Sequence, residues 1–414
     1  MDTRAAFAML CGVLRRPGFP YLVFLFLLVL SPLRGSANPP ENVLVLPFSN
    51  LSANHSLDWV GESFAVSIFQ ALSGELPFVV QPEERDNALR QMNVRKYAPL
   101  TTASMIEIAV NLDAVMVVAG SVEAIPGANG ARDGLRVRAQ LYNARKLRHI
   151  KDFDVSGKMD DISLVQSHLA WQILSSLRPE AAPAEQEYLA ARPPVRLDAI
   201  ERYVRGLMAA SYDQKLKLFT AAARLQPDYS AACYELGTLY YSRHEFRSAA
   251  EWLERVAPAD AHFRQALFRL GLARYHTGDF KLSVDAFEKL SRAISLSEVL
   301  NNLGVAQLRS GDAQAIGNLQ KAIEGDPADP DYSFNAGLAM YRKGDFEAAT
   351  SLLESTLARK PGDEVAERLL GKCKRKEAAR PGEVRSEALE RIKENYDETA
   401  WLQLKALIDP DGRK

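Results

Sequence analysis

Tyr234-Glu-Leu-Gly-Thr-Leu-Tyr240 returns in altered form as Phe268-Arg-Leu-Gly-Leu-Ala-Arg274, Asn301-Asn-Leu-Gly-Val-Ala-Gln307 and Phe334-Asn-Ala-Gly-Leu-Ala-Met340. The glycines at 206, 237, 271, 304, 337 and 371 lie 31, 34, 33, 33 and 34 positions apart. A fixed period of this length marks stacked supersecondary units, each too small to bury its apolar face alone. The turns Gly278-Asp-Phe280, Gly311-Asp-Ala313 and Gly344-Asp-Phe346 each lead into a second helix, and Ser242-Arg-His-Glu-Phe246 replaces the glycine in the first full unit. Ala249, Ser283, Ala315 and Ala349 put a small residue in each second helix where the pair must cross closely. Pro227, Pro327 and Pro361 then stop the helices, since proline lacks the amide hydrogen and restricts the residue before it.

This pattern resembles the tetratricopeptide repeat in its period and in its Leu-Gly, Ala, Phe and Pro positions. Five repeats, the first shortened near Ser211-Tyr-Asp-Gln214, and a sixth helix around Glu364–Lys374 occupy 197–380. Glu387-Ala-Leu-Glu-Arg-Ile392 and Thr399-Ala-Trp-Leu-Gln-Leu-Lys-Ala-Leu407, within 381–414, are expected to form the capping helix and tail.

Residues 38–180 alternate strand and helix patterns: strands at 43–48, 77–80, 114–124, 134–144 and 148–155, helices at about 60–73, 82–92, 102–112 and 160–177. The expected fold is an α/β domain, a mixed sheet with helices, followed by the all-α repeat superhelix. Val43-Leu-Val-Leu-Pro-Phe-Ser-Asn-Leu-Ser52, the Gly120-Ser-Val122 strand and Leu135-Arg-Val-Arg-Ala-Gln-Leu141 resemble the TolB amino-terminal-like domain, also found joined to tetratricopeptide repeats. After Asn143 the chain departs from that family, with Ala144-Arg-Lys-Leu-Arg-His149 in place of a Thr-Gly turn and a Trp strand. Pro47 should end the ladder of its strand, and Asp58 stands where it could cap the next helix. The Ala/Pro-rich stretch Arg178-Pro-Glu-Ala-Ala-Pro-Ala-Glu185 leads into a linker at 181–196.

Residues 1–37 read as a secretory signal peptide cut before Asn38: Arg15 and Arg16, a short apolar run, then Gly35-Ser-Ala37. An uncleaved inner-membrane anchor is the alternative, but the run from Phe19 to Leu33 is broken by Ser31-Pro32, whereas a span needs about 20 apolar residues. The expected location is periplasmic. With 51 basic and 52 acidic residues the net charge is -1, which leaves no global field to attract nucleic acid.

Catalytic signals are absent from the sequence. The six histidines have no pair at metal-ligand spacing, and there is no Gly-x-Ser-x-Gly or kinase set. The loop Gly127–Gly134 is followed by a strand and lacks a Lys-Ser or Lys-Thr, so it reads as a hairpin turn rather than a phosphate loop. Cys233 and Cys373 read as small buried side chains. No cofactor or metal is expected.

What the repeat resemblance implies instead is a concave binding face built from the first helix of each unit. Counting from the Leu-Gly positions places Tyr234, Thr238, Tyr241, Phe268, Tyr275, His276, Asn301, Arg309, Phe334, Tyr341, Arg342, Arg368 and Lys372 there. Aromatic residues dominate one end and cations the other, which suits a protein or peptide partner carrying carboxylates at one end and apolar groups at the other. Asn302 and Asn335 read as ordinary repeat residues, because the family's two-lysine, two-asparagine carboxylate clamp is missing. The expected function is an exported, non-catalytic interaction scaffold; the alternative is a small-molecule sensor or enzyme-like α/β domain regulated by the repeats.

Overall fold

A computed structural model of the chain describes residues 42–52, 54–76, 78–125, 134–180, 182–378, 390–398 and 401–402. The signal segment, the loop tip at 127–133, and residues 387–389, 399–400 and 403–407 of the expected cap lie outside the described residues.

The first half is a mixed sheet built from β1 (Val43–Val45), β2 (Ser49–Asn50), β3 (Met116–Ile125), β4 (Gly134–Asn143) and β5 (Arg148–Lys158). β1 and β2 both run parallel to β3, and β3, β4 and β5 form an antiparallel meander. Of the expected strand at 77–80, residue 77 lies outside the described residues and 78–80 form only a single bridge, from Val79 to Val43. Pro47 interrupts the ladder without ending it: Val45 pairs with Val118 and Ser49 with Ser121, so three residues oppose two. The resulting bulge turns Phe48 into the core, where its ring stacks 6.0 Å from Phe64.

Helices α1 (Asp58–Glu75) and α4 (Ile162–Leu177) supply Val60, Phe64, Ile68, Leu169 and Ile173 to the core beneath one sheet face. Helices α2 (Pro82–Gln91) and α3 (Thr102–Asn111) bury Leu89, Met105 and Ile108 with Leu44, Leu46 and Val117 on the other. Asp58 does not cap α1; it is the helix's first residue and accepts a 2.9 Å hydrogen bond from Asn50 Nδ2.

The stretch read as a linker is packed. It contains α5 (Glu185–Ala190), whose Tyr188 is buried, and it is tied down by Trp171 Nε1 donating to the Pro183 carbonyl at 3.0 Å. Val195 N also donates to Ser163 Oγ at 3.0 Å. The core under the sheet continues into the first repeat helices α6 (Leu197–Met208), α7 (Tyr212–Leu225) and α8 (Ser230–Ser242) through Tyr203, Val204, Phe219 and Leu236. Gln70 of α1 donates to the Tyr203 hydroxyl at 3.2 Å. The two halves therefore share apolar burial, which a free tether would not allow.

The superhelix continues with α9 (Phe246–Leu253), α10 (Phe263–Thr277), α11 (Phe280–Ala293), α12 (Ser297–Ser310), α13 (Ala315–Gly325), α14 (Pro330–Lys343), α15 (Phe346–Arg359) and α16 (Glu364–Lys374). In the repeats from Gly237 to Gly337 the glycine faces a large residue of the second helix, Leu253, Phe287, Leu319 or Leu353, rather than only a small one. A Cβ at Gly271 would lie 2.7 Å from Phe287, and one at Gly304 2.7 Å from Leu319. In one pair the small side chain sits beside the glycine's backbone, where Ser283 Oγ donates to the Gly271 carbonyl at 2.7 Å. Gly278, Gly311 and Gly344 end their helices with φ near +80°. At the equivalent turn of the first full repeat His244 takes the left-handed conformation, φ 60°, at the cost that any side chain meets there.

Candidate functional site: the concave groove

Asn302 and Asn335 occupy the same place in successive repeats, two residues before Gly304 and Gly337. Both are fully buried. Each carboxamide does what a neighbouring β-strand would do: it pairs with the backbone N–H and C=O of one residue in an extended segment. Lys393 N donates to Asn302 Oδ1 at 2.8 Å, and Asn302 Nδ2 donates to the Lys393 carbonyl at 2.7 Å. Arg391 N donates to Asn335 Oδ1 at 2.9 Å, and Asn335 Nδ2 donates to the Arg391 carbonyl at 2.7 Å. Asn301 donates to the same Arg391 carbonyl at 3.0 Å and is cross-linked to both partners. One step along the superhelix thus matches two residues of extended chain, about 6.6 Å.

The segment that is held is the chain's own residues 390–398, so Glu390–Ile392, expected to be helical, are extended instead. The segment runs against the repeat order, from α12 and α14 back to α10, and its side chains alternate with the period of a strand. Arg391 and Lys393 face an acidic wall. Arg391 contacts Asp331 at 3.2 Å and Asp363 at 2.6 Å and lies 3.7 Å over the Phe334 ring. Lys393 contacts Asp329 at 2.6 Å and Asp331 at 2.7 Å. On the other side Glu390, with a fully buried side chain, meets Arg342 at 2.6 Å and Arg309 at 3.6 Å. Ile392 packs against the cluster of Leu267, Val299 and Leu303. Glu394 accepts from the Tyr241 hydroxyl at 2.6 Å and lies 3.6 Å from His276. The Tyr396 ring is 4.7 Å from that of Phe268, its hydroxyl donates to Glu398 at 2.8 Å, and Glu398 pairs with Arg264.

These contacts shift the charges involved. Burial pushes the Asp331 carboxyl up, but hydrogen bonding and attraction from Lys393 and Arg391 bring it below its ordinary value. Asp363 follows the same course, with the Ala366 amide and Arg391 overcoming burial. Lys393 is held above the ordinary lysine value, because its bonds to Asp329 and Asp331 outweigh burial. The His276 hydrogen bond lowers Glu394 despite burial, with help from Tyr241. Burial, with Glu390 beside it, raises the Tyr275 phenol.

Of the residues placed in the groove by counting, Tyr241, Phe268, Tyr275, His276, Asn301, Arg309, Phe334 and Arg342 converge on this segment. Tyr234 stacks on His262 at 4.5 Å and, with Thr238, receives the Arg269 guanidinium. Tyr341 is buried beside Phe346. Arg368 is exposed on α16, and Lys372 is half-buried one turn on. The end expected to be cationic is divided: Arg309 and Arg342 meet Glu390, while Asp331 and Asp363 close over Arg391. Counting missed this acidic wall because Asp329, Asp331 and Asp363 sit at helix starts, outside the counted positions.

Asn302 and Asn335 were missed for a different reason: nothing local separates them from other repeat positions. The available signal was the amide itself, recurring where the preceding repeats carry Glu235 and Arg269. Only an amide offers a donor and an acceptor together without charge.

The polar loop of the first half is self-satisfied. Asn50 Nδ2 bonds Asp58 and the Asn54 carbonyl, Asn50 Oδ1 accepts from Ser52 N, and Ser52 Oγ accepts from Ala124 N. Cys233 and Cys373 are buried and unpaired with each other.

Residues 234–296 and 301–364 match the family model of the tetratricopeptide repeat, so this part of the superhelix is made of such repeats. No curated protein matches the chain. Among solved structures the chain is similar to YrrB, a TPR protein with an unusual peptide-binding site, at 20% identity over 41% of this chain and 91% of that one, TM-score 0.39. It is similar to MamA from Desulfovibrio magneticus RS-1 at 21% identity over 39% of this chain and 92% of that one, TM-score 0.34. The LpoB C-terminal domain from Salmonella enterica shares 19% identity over 30% of this chain and 87% of that domain, TM-score 0.22. At such scores these likenesses carry no weight for function.

Proposed function

We propose that the protein is an exported, non-catalytic adaptor whose repeat groove holds an extended segment of a protein partner, with no cofactor. The observation that carries this reading is the pair of equivalent asparagines, each bonded to both the N–H and the C=O of one residue in an extended chain. A buried amide in that geometry suits backbone recognition independent of the side chain held. The flanking aromatic, acidic and cationic surfaces add sequence preference. The basic, apolar and small-residue order of residues 1–37 supports export, and the periplasm is the compartment it suggests.

The test is site-specific photocrosslinking in cells. A crosslinking side chain at His276, on the groove, should capture a partner protein, whereas one at Arg136, on the exposed side of β4, should not. Partner adducts from Arg136 alone would move binding to the sheet and refute the reading.

A further inference from the structure

Resting on the reading of the groove as a peptide site, we infer that residues 390–398 are a resident ligand that regulates it: a partner segment must displace them to bind. The tail lies where a partner would lie, and it spends its own recognition chemistry there. Both asparagine pairs are saturated by Arg391 and Lys393. The Arg309–Arg342 pocket is closed by Glu390, the Tyr241–His276 position by Glu394, and the Phe268 face by Tyr396.

The occupied positions also define the competitor. It is an extended segment in the order acidic, cationic, apolar, cationic, acidic, any, aromatic, as in Glu390-Arg-Ile-Lys-Glu-Asn-Tyr396. The cations are required by Asp329, Asp331 and Asp363, and the first carboxylate by two guanidiniums and the Tyr275 phenol. The fifth position is set by Tyr241 and His276. Residues 390–397 contact the repeats by side chains and by backbone bonds to asparagines and belong to no helix or strand among the described residues, so they can leave without breaking one. A tethered ligand acts at an effective concentration on the order of millimolar, so a short free segment competes poorly and a partner needs higher affinity or additional contacts. The tail thereby sets a threshold that excludes weak segments.

The experiment uses the full chain and a fluorescent synthetic peptide with the sequence of residues 389–402. It is titrated into the wild type, into a tail variant (Glu390→Ala, Arg391→Ala, Tyr396→Ala), and into that variant with Asn302→Ala and Asn335→Ala added. Expected is binding to the tail variant roughly tenfold or more tighter than to the wild type, with the gain abolished by the asparagine changes. Equal, asparagine-dependent binding to the wild type and tail variant would overturn the regulation yet leave the groove a peptide site. No binding to a tail variant of wild-type helix content would overturn the inference as well. His276 crosslinking separately decides whether a partner uses the groove at all. A dimer that forms at high concentration only with the intact tail would place the tail in a second copy's groove and contradict the internal arrangement.

Discussion

Replacing Glu390 by glutamine removes one charge and almost no volume at the best-enclosed point of the tail. The Glu390 side chain is fully buried, its carboxylate 2.6 Å from Arg342 and 3.6 Å from Arg309, and those arginine side chains are only 9% and 16% exposed. Breaking one side of a buried, hydrogen-bonded charge pair costs about 2 to 5 kcal/mol. Glutamine keeps an acceptor for Arg342, and the freed tail regains water, so the low end of that range, about 2 kcal/mol, applies. At 1.36 kcal/mol per tenfold the undocked fraction rises roughly 30-fold. Trypsin reads this fraction directly, because its sites after Arg391 and Lys393 lie inside the docked segment. When undocking and redocking are fast compared with cleavage, the rate follows the open population. Mass spectrometry of timed digests of the full chain should therefore show cleavage at those two bonds accelerated by roughly 30-fold in Glu390→Gln. Helix content and cleavage within the repeats should not change. An unchanged rate at Arg391 and Lys393 would refute the claim that the Glu390 charge holds the tail in place.

Two further outcomes follow from the same contacts and from the shared core. Asp331 and Glu394 have pKa values lowered by docking, and Asp363 is lowered in part by Arg391 beside the Ala366 amide, so their contribution is present above the ordinary carboxylate range near ~4 and is lost as pH falls through the docked values. Lys393 is raised, so its contribution is present below the ordinary lysine value near ~10.4 and is lost only as pH rises past the docked one. Pulsed hydrogen exchange corrected for intrinsic rates should show the tail docked equally at about pH 6 and pH 8 and released below about pH 4; equal protection at all three would contradict this. Tyr203→Ala removes a buried ring of the first repeat that also bonds Gln70, at a cost of about 3 to 5 kcal/mol. Exchange of the β3 and β4 amides should quicken, whereas unaffected sheet amides would mean the two halves are stabilised separately.

The repeats were legible because their constraints are local. Glycine where another helix approaches, glycine in a left-handed turn and proline at a helix end each leave a residue-type signature at a fixed place. His244 shows how far that legibility reaches: the turn persists with its glycine gone, since the flanking helices already fix it. The sheet was also legible from β4, whose Leu135, Val137, Ala139 and Leu141 alternate with outward Arg136, Arg138 and Gln140. The packed segment at 181–196 was not. Its alanines and prolines have the composition of a tether, and its order comes from Tyr188, the Trp171 bond to Pro183 and the Ser163 bond to Val195, all pairings with distant residues or within a new helix.

The tail was misread for the same physical reason. Glu387–Ile392 carries a helical pattern, but asparagines 56 and 91 positions before the residues they hold supply backbone partners for an extended chain, and a local pattern cannot register them. The cationic and aromatic ends of the groove were visible in the order of the repeats. The occupant that joins them was visible only once the chain had folded back.

Hydrogen exchange at the amides of Arg391 and Lys393 in the full chain at neutral pH tests the central claim most directly. Both amides donate to buried asparagine oxygens, at 2.9 and 2.8 Å. They should exchange well below the intrinsic rate in the wild type, and Asn302→Ala should speed Lys393 exchange by removing its acceptor. Exchange of both amides at the intrinsic rate in the wild type would contradict the account, because the groove would then be open and residues 390–398 would not be its ligand.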